Sequence, residues 1–398
     1  MKPARVIGAG LSGLTAAWHL ADRGHAVTVI EQSSRPGGLI QTHQTEHGLV
    51  ETGANAFVWD ETVAAWFRRL DLTPVFPLTT SKRRYIFRNG RARRWPLTVS
   101  ESVGLAARFS TAYVTRATPA GEHETMEAWG RRVVGPAATR WLLEPAMQGI
   151  YASPPRALSA RAIFDGRRRG SRRLVEPEGG MGQFTTRLHE RLRDRGVRFE
   201  FNTGATIDAR VPTVVSTPAP VAARLIAPHA PVAAATIGRI GMASLTTVTM
   251  FFEPQPADVR GFGILFPSGT GIKALGVLHN ADIFCGRSVW RSETWIVGDR
   301  DQGITLWDDD RLLQMLAADR RCLTGRDATP MSVHITRWPA AIPIYDEAIR
   351  NLAMALGSLP PWLGLAGNYL GRIGVAALLD QANDAATRVS ATTGSTTN

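Results

Sequence analysis

The N-terminal segment constrains this chain more than any other. An apolar run ending in Val6-Ile7 meets Gly8-Ala9-Gly10-Leu11-Ser12-Gly13. A helical apolar pattern follows through Leu14, Ala17, Trp18 and Ala21, and a second strand-like run, 26–30, stops at Glu31. The G-x-G-x-x-G spacing between a strand and a helix predicts a βαβ unit that holds a dinucleotide. Gly8 permits the tight turn, Gly10 lets the backbone approach a pyrophosphate, and Gly13 lets the helix lie close on the strand. Leu11 and Ser12 open the helix, whose free N–H groups and positive dipole end suit phosphate. Glu31, roughly 20 residues past the glycines, is placed to accept hydrogen bonds from a ribose.

The choice of dinucleotide is made just downstream. Gln32-Ser33-Ser34-Arg35-Pro36-Gly37-Gly38-Leu39 follows, then Gly48, Glu51, Thr52, Gly53, Ala54 and Asn55. A nicotinamide site has no use for this second glycine pair. A flavin dinucleotide does, because Arg35 can neutralise pyrophosphate while Gly37 and Gly38 admit the ribityl chain and ring. The pattern resembles the flavoprotein group that contains amine oxidases, phytoene desaturases and protoporphyrinogen oxidases. FAD is the expected cofactor, with Gln32, Arg35, Gly37, Gly38, Leu39, Gly53, Ala54 and Asn55 as candidate contacts.

At 398 residues the chain is long enough for roughly two or three domains. Its net charge of +12 is carried almost wholly by arginine, the lysines being Lys2, Lys82 and Lys273. Such a charge attracts nucleic acid, an anionic membrane surface or an acidic small molecule. No nucleic-acid motif accompanies it, so the charge is read only as a hint of an anionic small-molecule substrate or of peripheral membrane contact. Cys285 and Cys322 lack C-x-x-C spacing and clustered histidines, so no metal site is expected. Two cysteines in so large a chain fit a reducing cytoplasm. No signal peptide and no apolar run long enough to span a bilayer is expected.

Residues 1–58 read as the first βαβ portion, and 61–72 as a helix with Val63, Trp66, Phe67 and Leu70 on one face. A basic β-like stretch, 81–94, carries Arg83, Arg84, Arg88, Arg91 and Arg94, with Asn89-Gly90 as a hairpin turn. Helical patterns dominate 99–148, with Pro136 suited to a first turn. Gly179-Gly180-Met181-Gly182 precedes a helix repeating Phe184, Leu188 and Leu192. Strands are predicted at 197–201 and 213–216, a connecting helix at 221–229, short antiparallel strands over 243–300, a helix at 309–319, a last strand at 364–366 and a last helix at 375–389. The chain is therefore read as α/β: a discontinuous Rossmann-like FAD-binding domain (1–75, 176–220, 351–389) with a helical insertion (76–175), an inserted antiparallel-sheet substrate domain (221–350) and a disordered tail (390–398).

Further segments resemble the oxygen-dependent protoporphyrinogen or coproporphyrinogen oxidase family over nearly the whole chain. Glu144-Pro145 through Gly149-Ile150-Tyr151-Ala152 is similar to its "EP…GIYA" segment. Glu178-Gly179-Gly180-Met181 resembles its "KGG" turn, and Gly261–Pro267 with Ala274–Val277 its paired sheet strands. Arg337-Trp338-Pro339 through Pro343-Ile344-Tyr345 is similar to its "RW..A.P.Y" run. Leu365-Ala366-Gly367-Asn368-Tyr369-Leu370, then Gly374-Val375, matches its C-terminal flavin motif. The resemblance implies non-covalent FAD, removal of hydrogens from a porphyrinogen with hydride passing to flavin N5, and reoxidation by oxygen or another acceptor. It implies a tryptophan over the flavin ring, for which Trp338 stands; the bland alternative is a buried core tryptophan. Gly374 and Val375 open a helix whose N–H groups can stabilise the reduced flavin. Asn368 can bond phosphate or ribityl oxygens, and Gly367 and Ala205 are further candidate cofactor contacts. Propionates need cationic partners, so Arg83, Arg84 and Arg94, together with Tyr345, are candidate substrate contacts. A second basic run, Arg167–Arg169 to Arg172-Arg173, reads as a surface loop or membrane-facing patch.

Two departures from the family pattern stand out. The segment between Phe201 and Val211 is short, and Asp380-Gln381-Ala382 replaces a small residue followed by Ser-Gly. Two other readings stay open. One is an FAD-dependent oxidase or desaturase of an amine or specialised metabolite. The other is a flavin-binding partner without turnover. Amine oxidases of the group usually place a lysine on a substrate-domain strand near the flavin, and the comparable strand, 243–252, has none. No catalytic side chain is demanded by such chemistry, and none is assigned.

Overall fold

The computed structural model describes residues 1–165, 173–298, 303–371 and 374–391. Residues 167–169 and 172 of the second basic run, and 392–398 of the expected tail, lie outside these. The expected tail begins inside the last helix, Val375–Ala391.

Lys2–Ile7 is the central strand of a five-stranded parallel sheet, in the order Arg198–Glu200, His25–Ile30, Lys2–Ile7, Thr213–Val215, Leu363–Leu365. Val6-Ile7, Val27, Val29-Ile30, Val214-Val215 and Leu363 are apolar because both faces of the inner strands are covered, while the edge strand Arg198–Glu200 is largely exposed. Ala4, Val6, Val29 and Val214 meet Leu11–Asp22, Gly182–Asp194 and Val375–Ala391 on one face. Ile7, Val215, Leu363 and Leu365 meet Ala219–Ile226, Pro231–Gly238 and Leu352–Gly357 on the other. The sheet thus gathers strands from three separate stretches of chain, and its carboxyl ends converge beside Gly8.

A second sheet of seven strands runs Ser332–Pro343, Met242–Phe252, Arg291–Gly298, Gly276–His279, Gly263–Leu265, Arg84–Arg88, Arg91–Arg93. The strand read at 243–252 is Met242–Phe252, continuous over 11 residues. Its β-branched and aromatic run meets no glycine or proline before Pro254. The basic hairpin turns at Asn89 and Gly90, both at positive φ (52° and 72°). Rather than leading into helices alone, it joins this sheet, pairing in parallel with Gly263–Leu265. One sheet face packs Val248, Met250, Trp295 and Val297 on Leu312, Met315 and Leu316 of Asp309–Thr324. That helix outruns the expected 309–319 because its stop signal is Gly325, at φ +70°, while Asp308 caps its start.

The helical stretch opens with Val99–Val114, fixed at its start by a capping box between Thr98 and Glu101. Pro136 takes a first-turn position. A π turn at Thr139–Leu143 leads into Glu144–Tyr151. Gly149 lets that helix settle on the large sheet, since a Cβ there would lie 2.8 Å from Leu265 Cδ2.

Candidate flavin site

The glycine turn divides its labour as the sequence predicts. Gly8 sits at φ +104°, and a Cβ on it would lie 2.3 Å from the Ser216 carbonyl oxygen. A Cβ on Gly13 would lie 1.8 Å from the Gly8 oxygen, so that glycine is needed for helix packing. Gly10 differs: a Cβ there would meet nothing nearer than Gly38 Cα at 3.9 Å. It heads Leu11–Asp22 with no side-chain cap, which leaves the first-turn N–H groups of Leu11, Ser12 and Gly13 without intrahelical partners. This is a cradle that a side chain would fill and a pyrophosphate fits.

The second glycine pair closes on the first. Gly37 N–H donates to the Ala9 carbonyl at 2.8 Å, and Gly10 and Gly37 form a parallel bridge. Arg35 folds back over the pair, donating to the Pro36 and Gly38 carbonyls at 3.1 and 3.2 Å. Desolvation lowers its pKa and the nearby Glu31 opposes that. Glu31 accepts from Ala9 N at 2.6 Å and from Ser33 N and Oγ, both at 2.8 Å. A carboxylate offers about four acceptor positions, so one remains for a ribose hydroxyl. Gln32 and Leu39 are exposed beside it.

The turn after Glu51 holds the remaining candidate contacts. Gly53 is pinned on Leu39, whose carbonyl oxygen a Cβ would approach to 2.1 Å. The Thr52 carbonyl accepts from Trp338 Nε1 at 2.7 Å and from Thr247 Oγ1 at 3.1 Å. Trp338 is half-buried and ties the large sheet to this turn, in the extended backbone that Pro339 demands. Ala54 is half-buried against the core under the glycine turn, and Ala205 is half-buried against the core on the other face of the parallel sheet. Gly374 sits at φ +114° with open space around it, immediately before Val375–Ala391.

Tyr345 takes a part other than the expected substrate contact. Tyr345 lies in the core, 1% exposed, and donates its hydroxyl to the Asn368 carbonyl at 3.2 Å. Burial raises its pKa, and Tyr151 packs edge-on at 5.1 Å. It braces the Gly367–Leu370 segment from within the core and is not open to a substrate. Asn368 uses its amide N–H on the Ala341 carbonyl at 2.9 Å, which leaves its side-chain oxygen for a ligand.

A buried polar network behind the turn was not foreseen. Arg287 pairs with Glu176 at 2.5 Å, both nearly sealed from solvent, and donates to Asn55 O at 2.7 Å and Oδ1 at 3.2 Å. Glu51 accepts from Met181 N and Thr42 Oγ1. Desolvation pushes its pKa up to about 7, against the pull of Arg287. These partners are far apart in the chain and show no spacing, so the sequence offered no signal for them.

The register of the large sheet settles which residues face the turn. Trp338 pairs with Leu245, Thr247 with Ile296, Thr249 with Thr294, Leu278 with Gly263, and Gly263 with Arg84. Paired residues point to one face, so Arg84 shares the face of Thr247 and Trp338. Arg84 stacks over the Phe262 ring at 4.5 Å. It has no carboxylate in ion-pair range among the described residues, and desolvation lowers its pKa. Arg84 is itself exposed, as are Arg83 and Arg94, so it is the stacking on Phe262 and the shared sheet face that set it apart. Arg88 is taken up by Glu101 and the Pro96 carbonyl.

A twin-glycine cradle, an acid bonded to it and a tryptophan tied to the turn between two sheets fit a flavin-dependent oxidoreductase. The sequence pattern of the family described as flavin containing amine oxidoreductase matches residues 11–369, and the chain belongs to that family. It is 25% identical to protoporphyrinogen oxidase 2, chloroplastic/mitochondrial, of Arabidopsis thaliana, over 94% of this chain and 91% of that protein. It is also 25% identical to coproporphyrinogen III oxidase of Mycobacterium leprae (strain TN), over 96% of each. Its fold is similar to a crystal structure from Exiguobacterium sp. 255-15 provisionally named a protoporphyrinogen oxidase. The TM-score is 0.83 at 18% identity, covering 98% of this chain and 99% of that one. FAD is the cofactor, and the cradle around Gly10 fits it. Among the described residues no group of His, Cys, Asp or Glu could hold a metal ion.

Proposed function

We propose that this chain is an FAD-dependent oxidase of a reduced, conjugated macrocycle with carboxylate arms: a porphyrinogen. The observation that carries the reading is Arg84. It stands on the same sheet face as Trp338 but five strands away, roughly 24 Å at about 4.8 Å per strand spacing. A small amine has no use for an unpaired guanidinium so far from the flavin turn; a broad anionic substrate does. Strand Met242–Phe252 carries no lysine, and Lys273 lies 5.3 Å from the Trp307 ring, beside the helix on the opposite face. Both facts speak against a typical amine oxidase.

Bound FAD supplies the two-electron chemistry, with oxygen or another acceptor restoring it. The chain's own groups bind, orient and exclude water. The Gly8–Gly13 and Gly37–Gly38 turns hold the dinucleotide, Glu31 its ribose and Arg35 its pyrophosphate. The Thr52–Asn55 turn and Trp338 wall the ring. The face between Glu144–Tyr151 and the large sheet receives the macrocycle, with Arg84 holding a carboxylate. In this reading residues 1–75, 176–220 and 351–389 form the FAD-binding unit, 221–350 the substrate unit and 76–175 a mainly helical insertion. The protein works in the cytoplasm, with peripheral contact to an anionic membrane surface through Val99–Val114.

Steady-state porphyrin formation from coproporphyrinogen and protoporphyrinogen tests the assignment of Arg84. Arg84→Met should raise KM about tenfold or more with kcat little changed, as expected for lost hydrogen bonds from a charged donor. An unchanged KM removes Arg84 from the substrate site.

A further inference from the structure

The connection between Asn280–Ile283 and Arg291–Gly298 belongs to the large sheet, yet it grips the segment that reads as the flavin turn. The Arg287 carbonyl accepts from Leu49 N at 2.7 Å, and Ser288 Oγ donates to the His47 carbonyl at 2.6 Å. Gly48, at φ +138°, leaves no room for a side chain: a Cβ would lie 2.3 Å from the Arg287 oxygen. Main chain is thus docked on main chain over the hairpin that leads into Thr52–Asn55.

The Arg287 side chain completes the grip. It is 1% exposed, and its guanidinium contacts both the backbone and the side-chain oxygen of Asn55. Two of its nitrogens, Nε and Nη2, also donate to Glu176, at 2.5–3.2 Å, while its face lies 4.8 Å from the Phe284 ring. Glu176 sits in Leu174–Pro177, just before the Gly179–Gly182 turn. A planar fork held on one side by a carboxylate can fix a peptide plane on the other. A lone buried guanidinium would be costly, so Glu176 also makes the arrangement stable.

We propose that Arg287 is a positioning residue for FAD: oriented by Glu176, it fixes the Asn55 peptide and thereby shapes the Thr52–Asn55 turn for the flavin, linking the substrate sheet to cofactor retention. The proposal rests on the reading of that turn as a flavin contact.

Apo-protein titrated with FAD, followed by quenching of protein fluorescence, gives Kd for wild type, Arg287→Met, Arg287→Met with Glu176→Gln, and Ala54→Leu. Thermal unfolding of each apo-protein reports stability separately. Arg287→Met should raise Kd about tenfold or more and destabilise the apo-protein. Adding Glu176→Gln removes the orphaned charge, so stability should return toward wild type while Kd stays high. A double variant that binds FAD like wild type while Ala54→Leu binds weakly overturns the role of Arg287. If Ala54→Leu also binds like wild type, the turn does not touch the flavin, and the reading beneath the proposal falls instead.

Discussion

A methyl group added at Gly13 would sit 1.8 Å from the Gly8 oxygen, whereas one at Gly10 would find only Gly38 Cα, at 3.9 Å. The two glycines therefore answer to different demands, one from the fold and one from the ligand. Gly10→Val should fold with a near-wild-type thermal midpoint yet retain no FAD, read from the visible spectrum after gel filtration. Gly13→Ala should lose stability by about 2 kcal/mol or more through backbone overpacking. Equal FAD content in Gly10→Val and wild type would displace the pyrophosphate from Gly10. Glu51 carries a pH dependence of its own. Its pKa is raised from 4.5 to about 7 by desolvation. Between those values the folded chain keeps a proton that the unfolded chain has lost, so stability falls as pH rises, by at most on the order of 3 kcal/mol. Denaturant midpoints of wild type and Glu51→Gln across this window should converge at low pH, with the variant gaining relative stability toward neutral pH. Parallel curves would show that Glu51 does not titrate there.

Among the elements, Val99–Val114 stands out because little covers it. Val99, Val103, Phe109, Tyr113 and Val114 are all exposed, with Trp95 beside the helix start, Arg108 on its surface and Arg116 just past its end. Apolar side chains flanked by arginine suit an anionic bilayer surface. The protein should pellet with vesicles containing anionic lipid, and Phe109→Glu with Tyr113→Glu should reduce that binding severalfold; equal pelleting by the variant would rule the helix out. Elements also mark how far the sequence could be read. The Gly8–Gly13 turn and the Asn89-Gly90 hairpin were legible because their physics is local: positive φ and close approach demand glycine or asparagine there. The motif named Tyr345 and Asn368 but could not say that the Tyr345 hydroxyl would be spent on the Asn368 carbonyl and the Asn368 amide on the Ala341 carbonyl. The Arg287 network was invisible, since its partners stand 111 and 232 residues away.

For the molecule as a whole, a five-stranded parallel sheet and a seven-stranded sheet are joined by the Thr52 turn. On the proposed reading the parallel sheet holds the dinucleotide, and the substrate face lies where the two meet, outside the strand carboxyl ends, as open α/β sheets favour. No helix among the described residues is long and apolar enough to cross a membrane. The unpaired Arg84 and the absence of lysine on Met242–Phe252 both lean toward an anionic macrocycle over an amine. Anaerobic mixing of the FAD-loaded protein with coproporphyrinogen, protoporphyrinogen and a panel of primary and secondary amines tests this most directly, with flavin absorbance as the readout. The flavin band should bleach with a porphyrinogen and stay unchanged with the amines; bleaching by an amine alone, or by none of these compounds, would contradict the account.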